Sequence, residues 1–190
     1  MVFTGMRISE VCGLRYCDIN FERRMLTVSK QIYFTTSSPD GFILIPPKYN
    51  NISSIFLNDI AYNVLLNKTS NQQTKAMDFV FSDPDGYPYR KDGFIKNQFE
   101  KAINKMKALR ALDPAKNITF HTLRHTYASM FVYLNENIYT VQHLLRHKDF
   151  RLTYNTNAHM YPDNKPTSFA TINNEFNYLM NDDIDDDEED

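Results

Sequence analysis

The sequence predicts a mostly helical α+β domain with a small antiparallel β-sheet at one edge. Runs rich in β-forming residues gather between positions 25 and 57, whereas helical apolar spacing dominates from position 92 to position 146. Strands grouped apart from helices are typical of α+β domains. A chain of 190 residues with 42% hydrophobic and 14% aromatic residues is long and apolar enough to bury one core.

The first part of the chain combines one helical pattern with three strand patterns. Residues 7–14, RISEVCGL, carry helical apolar spacing. Residues 25–34 are rich in β-formers and precede the turn-rich TTSSPDG and then FILIPP, which predicts a hairpin. ISSIFL at 52–57 predicts a third strand, and either Asn58 or Asp59 can cap the helix that follows.

The second part of the chain is dominated by helices. Residues 78–88, DFVFSDPDGYP, predict a short strand that ends in a Pro-Asp-Gly turn. The segment 93–109 has the apolar spacing of a strongly amphipathic helix. Residues 121–134, HTLRHTYASMFVYL, and the shorter segment 138–146 predict two further helices.

Charge is distributed unevenly along the chain, although the formal net charge is only −2. The last nine residues, DDIDDDEED, hold eight of the 23 acidic groups, which leaves 15 acids against 21 Lys and Arg, or +6, in residues 1–181. A basic body suits a polyanionic partner such as double-stranded DNA. The acidic block predicts a disordered tail over residues 181–190, with competition against nucleic acid as the alternative role.

Cysteine content and hydropathy bear on the compartment. The chain has two cysteines, Cys12 and Cys17, which are too few for a disulfide framework and do not form a CxxC pair. No run approaches the roughly 20 apolar residues that a membrane helix needs, and MVFTGMRISE is unlike a secretory signal. We therefore expect a cytoplasmic protein without a membrane partner.

The pattern H-x-L-R-H occurs twice, at residues 121–125 and 143–147. Two His residues four apart share a helix face, as in zinc sites. A metalloprotease pair, however, has Glu after the first His, where Thr122 and Leu144 stand, and an Arg inside each pair repels a cation. The pattern therefore predicts neither a metal nor another cofactor.

An arginine inside a histidine pair suits an anion better than a cation. His121 and Arg124 are three residues apart and share one helix face, so they could present an imidazole and a guanidinium to one phosphate. Burial of the helix is predicted through a separate apolar stripe that consists of Leu123, Tyr127, Met130, Phe131 and Leu134. Taken alone, the pair could equally be ordinary surface residues.

Five motifs stand in a fixed order along the chain: TGMRISEVCGLRYCDI (4–19), PPK (46–48) with ISSIFL, FHTLRHTYAS (120–129), LLRH (144–147) and TYNTNAH (153–159). Together they resemble the conserved boxes of the tyrosine recombinases, the integrase family of phages and transposons. The resemblance extends from about residue 2 to about residue 160. It implies the family's DNA breaking-rejoining catalytic fold over residues 1–165, followed by a C-terminal segment at 166–180.

The resemblance implies a phosphate site made of side chains without a metal. In this family a tyrosine attacks the scissile DNA phosphate and leaves a 3′-phosphotyrosyl link, so the bond energy is kept for rejoining. Arg7 and Arg124 match the two family arginines that grip the non-bridging oxygens. His121 matches a hydrogen-bond donor and proton shuttle, and His147 matches the histidine that binds the phosphate. Lys48 matches the lysine that protonates the leaving 5′ oxygen.

Two other residues of these boxes have supporting roles by the same resemblance. Glu10 would hold Arg7 from three residues along the same helix, and His125 would serve structure more than chemistry. Family members act on double-stranded DNA as tetramers, so homo-oligomers are expected.

Asn157 stands where the family has its nucleophilic tyrosine, and an amide cannot attack a phosphate. Tyr154 and Tyr161 lie three residues before and four after it, about 5 Å away along a helix axis in each direction. This distance is too great for either of them to substitute without rearrangement, which leaves a tyrosine from a partner subunit as the other source. Arg146 is a second departure, because the family usually has glycine there.

The start of the chain and the hairpin also depart from the family pattern. Met1 stands three residues before the first box, so the N-terminal DNA-clamping domain is expected to be missing, and ISSIFL lacks the usual arginine. The sequence therefore predicts a truncated, cleavage-defective integrase catalytic domain of a mobile element, or one part of a longer reading frame. The alternative is a non-catalytic DNA-binding remnant or a modulator of an intact integrase.

Overall fold

The computed structural model of the chain describes residues 1–70, 74–90 and 92–146, with five α-helices and two small antiparallel sheets among them. This arrangement confirms the α+β prediction. The calls on His147, Tyr154, Asn157, Tyr161, residues 166–180 and the acidic residues 181–190 lie outside the described residues. The helices are α1 (Ile8–Cys12), α2 (Asp59–Ser70), α3 (Phe94–Ala108), α4 (Phe120–Tyr133) and α5 (Ile138–Leu145), and the strands are β1 (Ile19–Asn20), β2 (Met25–Val28), β3 (Gln31–Phe34), β4 (Phe42–Ile45) and β5 (Ser53–Phe56).

The strands form one sheet of three strands and one hairpin. The order in the larger sheet is β1-β2-β5, with Leu26 opposite Ile55, and β3 pairs with β4 so that Ile32 lies opposite Leu44. The predicted hairpin and the strand at ISSIFL are both confirmed. The β-rich run 25–34 is divided, however, because its first half pairs with β5 and its second half with β4.

The segment 78–88 contains the predicted turn but not a strand. It makes two isolated bridges, Arg15 to Phe79 and Ser82 to Pro88. The carboxylate of Asp83 accepts hydrogen bonds from the backbone N–H groups of residues 85 and 87, and Gly86 has a φ of 87°. The side-chain turn therefore replaces a ladder of backbone hydrogen bonds.

Polar caps position the helices that frame the site. Asn58 Oδ1 accepts from Ala61 N at 2.9 Å, so Asn58 rather than Asp59 caps α2. Thr119 Oγ1 accepts from the N–H of residue 122 at 3.3 Å and begins α4. Asn137 Oδ1 accepts from the N–H of residue 139 at 2.8 Å and begins α5. No helix of the described ranges is long and apolar enough to cross a membrane.

The segment from Gly5 to Arg7 joins two apolar cores. Met6 belongs to the first core, which is built on the three-stranded sheet and α2. Gly5 lies against the ring of Tyr127, which belongs to the second core, between α4 and α5. The arginine that begins α1 is therefore held where the two cores meet.

Candidate active site

Three arginines and one glutamate form a largely buried group that we call the arginine cluster: Arg7, Glu10, Arg124 and Arg146. Glu10 lies at its centre with a side chain that is 0% exposed. Its Oε1 accepts from Arg7 Nη1 at 2.8 Å, and its Oε2 accepts from the backbone N–H of Arg7 at 2.8 Å. Oε2 also accepts from Arg146 Nη2 at 2.5 Å. The carboxylate therefore joins the start of α1 to the end of α5.

Arg124 completes the cluster from the middle of α4. Its two terminal nitrogens donate to the backbone carbonyls of Gly5 and Leu145. Burial, followed by the positive charges of Arg7 and Arg146, lowers the pKa of Arg124 to about 9. The guanidinium is therefore still a cation at neutral pH, held rigidly between two chain segments.

The structure corrects the predicted face of α4. Arg124 is only 8% exposed and lies on the buried side of the helix, whereas His121 is exposed. Tyr127 and Phe131 of the predicted stripe are buried, Met130 and Leu134 pack partly buried against the same core, and Ala128 and Val132 are buried beside them. His121 and Arg124 therefore do not present a shared surface face.

Gly5 provides the close approach that the cluster needs. Its φ is 59°, and a Cβ atom there would lie 2.6 Å from Tyr127 Cδ1, which is closer than carbon atoms can approach. Glycine therefore lets the carbonyl of residue 5 reach Arg124 while the ring of Tyr127 packs against the backbone. Burial raises the pKa of Tyr127 well above the ordinary range for tyrosine.

Arg146 is a member of the cluster that the sequence analysis treated only as a departure from the family pattern. It caps the C-terminus of α5 in the left-handed region, with φ 53° and ψ 41°, and its N–H donates to His143 O at 2.9 Å. The side chain is 3% exposed, and burial lowers its pKa. Its Nε and Nη1 atoms are buried without a hydrogen-bond partner in the described ranges. The signal in the sequence that could have drawn attention to Arg146 was an arginine where the family usually has glycine.

The remaining predicted residues that the structure describes, Lys48, His121 and His125, are all exposed. Lys48 is exposed on a 3-10 turn, with its Nζ 5.1 Å from the ring centre of Tyr49. Farther along that segment, Asn51 Nδ2 lies 3.5 Å from Arg146 O, which is the limit of a hydrogen bond. Partial burial, followed by the charges of His121 and Arg124, lowers the pKa of His125.

The profile of the phage integrase family matches residues 1–163. The chain belongs to this family. It is 27% identical over 180 residues to the transposase from transposon Tn916 of Enterococcus faecalis, a match that covers 90% of this chain and 44% of the transposase. It is 26% identical over 187 residues to a XerC-like tyrosine recombinase of Caldanaerobacter subterraneus subsp. tengcongensis, which covers 91% and 47% of the two chains. This integrase-family chain thus spans about half the length of these curated relatives.

Solved structures of the family share its fold. The integrase of transposon Tn1549, in complex with a circular intermediate DNA, superposes with a TM-score of 0.71 at 24% identity, over 94% of this chain and 56% of that one. The catalytic domain of bacteriophage HP1 integrase superposes with a TM-score of 0.53 at 22% identity, over 95% and 79% of the two chains. The chain therefore has the catalytic fold of the tyrosine recombinases.

Proposed function

We propose that this chain is the catalytic domain of a mobile element's site-specific DNA recombinase, that it grips a DNA phosphate, and that its own strand cleavage is blocked at Asn157. The arginine cluster is the observation that carries the proposal. Among the described residues, three guanidinium groups surround the single carboxylate of Glu10, which leaves an excess of two positive charges in a largely buried site. An anion is the partner that compensates such an excess.

The cluster has spare donors for that anion. A guanidinium carries five N–H groups, and the two carbonyl contacts of Arg124 occupy only part of its set. Arg7 is 23% exposed at the side chain, so it is the member of the cluster that solvent and DNA reach most easily. Arg7 and Arg124 would bind the non-bridging oxygens, where charge develops during phosphoryl transfer.

The other predicted residues would complete the reaction from the rim of the site. His121 and Lys48 are exposed, so the side chain of each is open to DNA that binds at this surface. His121 would donate to an oxygen, Lys48 would protonate the leaving 5′ oxygen, and His147, which follows Arg146 in the chain, would bind the phosphate. The Tn1549 integrase was solved with DNA, which supports DNA as the partner.

The residue at position 157 decides whether this site could cleave DNA without a tyrosine from elsewhere. Without a tyrosine hydroxyl at that position no phosphotyrosyl bond can form there, so we expect binding without cleavage. Assembly with other subunits on DNA, in the cytoplasm, would then depend on the same phosphate contacts. This defect also favours a second function, in which the chain is a non-catalytic DNA-binding modulator of an intact integrase.

The deciding experiment compares the wild type with Asn157→Tyr on nicked suicide duplexes that carry a randomised core. Covalent protein–DNA adducts are collected on a denaturing gel, and the captured DNA is sequenced. Asn157→Phe is the matched control, since it adds the ring without the hydroxyl. Binding is measured in parallel by fluorescence anisotropy at several salt concentrations, because phosphate contacts make affinity fall steeply with salt.

An adduct from Asn157→Tyr alone would support a preserved phosphate site that Asn157 silences. An adduct from the wild type would overturn the proposed block and would point to Tyr154, Tyr161 or a partner's tyrosine. Salt-sensitive binding without an adduct from either protein would favour the modulator. If no protein bound DNA, both functions would be rejected.

A further inference from the structure

Arg146 changes the way in which Glu10 holds Arg7. A carboxylate can bind a guanidinium through two parallel hydrogen bonds, one to each oxygen. Here Arg7 Nη1 contacts only Oε1, because Oε2 is taken by Arg146 Nη2 at 2.5 Å and by the backbone N–H of Arg7. In the described ranges this single contact is the one hydrogen bond of the Arg7 side chain. Its other N–H groups are left for a ligand.

The position of Arg146 in the chain explains how it reaches Glu10. A left-handed residue at a helix C-terminus reverses the chain direction and can be glycine at little cost. Arg146 adopts this conformation with a side chain present, and that side chain is directed into the protein, where it is 3% exposed. The contact to Glu10 joins residues 136 positions apart.

We propose that Arg146 is a positioning residue for phosphate binding: it occupies one oxygen of Glu10, prevents a two-point clamp on Arg7, and so keeps the free donors of Arg7 available to the DNA phosphate. Arg146 itself acts through Glu10 and does not touch the phosphate. The inference rests on the proposed phosphate site and adds to it a residue that lies at a position usually occupied by glycine.

Burying the side chain of Arg146 also costs free energy of folding. Two nitrogens of Arg146 are buried without a partner in the described part of the chain, which is unfavourable for a charged group. If the only role of Arg146 were to end α5, its charged side chain would be more stable in solvent than buried. Arg110 offers the comparison, because it has a φ of 59° just after α3 and is exposed.

The test measures binding of inorganic phosphate at constant ionic strength, from the rise in melting temperature over a concentration series. The proteins are the wild type, Arg146→Gly, Arg146→Lys and the control Arg110→Gly, which removes an arginine from the same left-handed conformation outside the cluster. We expect Arg146→Gly to weaken phosphate binding about tenfold, the effect of losing one charge-assisted hydrogen bond. Arg110→Gly should change it less than about twofold, and Arg146→Lys should stay within about threefold, because its ammonium still reaches Glu10.

A double-mutant cycle with Glu10→Gln tests whether the effect of Arg146→Gly on phosphate binding passes through Glu10. In a Glu10→Gln background the amide cannot clamp Arg7 as a carboxylate does, so Arg146→Gly should lose most of its effect. An equal loss in both backgrounds would overturn the inference, as would equal losses for Arg146→Gly and Arg110→Gly. If Arg146→Gly failed to fold, Arg146→Lys would decide: a tenfold loss at an unchanged melting temperature would mean that Arg146 contacts the anion directly. Failure of the wild type to bind phosphate or DNA would reject the proposed function together with the inference, whereas phosphate binding unaffected by Arg146→Gly would reject only the inference.

Discussion

The two copies of H-x-L-R-H place their arginines in the same cluster by different routes. Arg124 lies in the middle of α4 and binds two backbone carbonyls, whereas Arg146 closes α5 in a left-handed conformation and binds a carboxylate. In both copies the first histidine, His121 or His143, is exposed. The comparison teaches that a shared motif specifies the residue type, while the backbone conformation decides which partner the side chain meets.

The largest expected difference between the two copies concerns Arg124. Replacing it with Ala leaves the carbonyls of Gly5 and Leu145 without their buried donor, which we expect to cost about 3–5 kcal/mol of unfolding free energy. Urea denaturation followed by circular dichroism measures this loss, with Arg110→Ala as the exposed control. A loss below 1 kcal/mol would show that the two carbonyl contacts add little to stability.

Gly5→Ala tests the same contact from its acceptor side. The new methyl group would lie 2.6 Å from the Tyr127 ring, and the alanine backbone would have to keep a φ of 59°, so we expect a loss of about 2–4 kcal/mol in the free energy of unfolding. Gly41→Ala is the matched control, since Gly41 has a φ of 74° with open space around it. Its loss should be near 1 kcal/mol, and equal losses would remove the role assigned to the Tyr127 contact.

Arg146→Gly should behave very differently from a change at Arg124. Glycine relieves the left-handed backbone and removes two nitrogens that have no partner among the described residues, while Glu10 keeps Arg7 as a partner. We expect these effects to offset one another to within about 1 kcal/mol in the free energy of unfolding. A loss as large as that of Arg124→Ala, measured by the same denaturation, would mean that both arginines serve stability equally.

The smallest effect concerns His125 and pH. Because the pKa of His125 is lowered from 6.5 in the folded protein, the unfolded state takes up a proton first as the pH falls below 6.5. Stability is therefore present above that pH and declines below it. His125→Gln should make the melting temperature fall less between pH 6.5 and pH 5 than in the wild type, with His143→Gln as the matched histidine replacement. If His125→Gln left the dependence of the melting temperature on pH unchanged, a contribution of His125 to the loss of stability at low pH would be excluded.

Sequence patterns predicted the fold well because most elements are local. The apolar spacing of 93–109 and 138–146, the turn before Phe42 and the capping side chain of Asn58 each act within a few residues of the chain. The strand predicted at 78–88 was wrong, because its backbone groups bond to Asp83 and to single residues elsewhere. The choice between a ladder and such bridges depends on neighbours that are distant in the sequence.

The residues that meet in the arginine cluster were predictable in part, whereas their geometry was not. Family resemblance selected Arg7, Glu10 and Arg124, and these residues do meet. Helical periodicity placed Arg124 on the polar face. A local pattern contains no information on the carbonyls of Gly5 and Leu145, which accept hydrogen bonds from Arg124 inside the protein. The position of Arg146 in the cluster depends on its left-handed backbone and on a contact across most of the chain, neither of which a local pattern contains.

The excess positive charge of the arginine cluster would make a bound anion, as in the proposed phosphate site, a contributor to folding. Two buried guanidinium groups and the partly exposed one of Arg7 surround one carboxylate in the described part of the chain, so their mutual repulsion opposes the folded state, and a bound anion would relieve it. Protein freed of nucleic acid during purification would then be at its least stable. Any polyanion present during synthesis would favour the folded form.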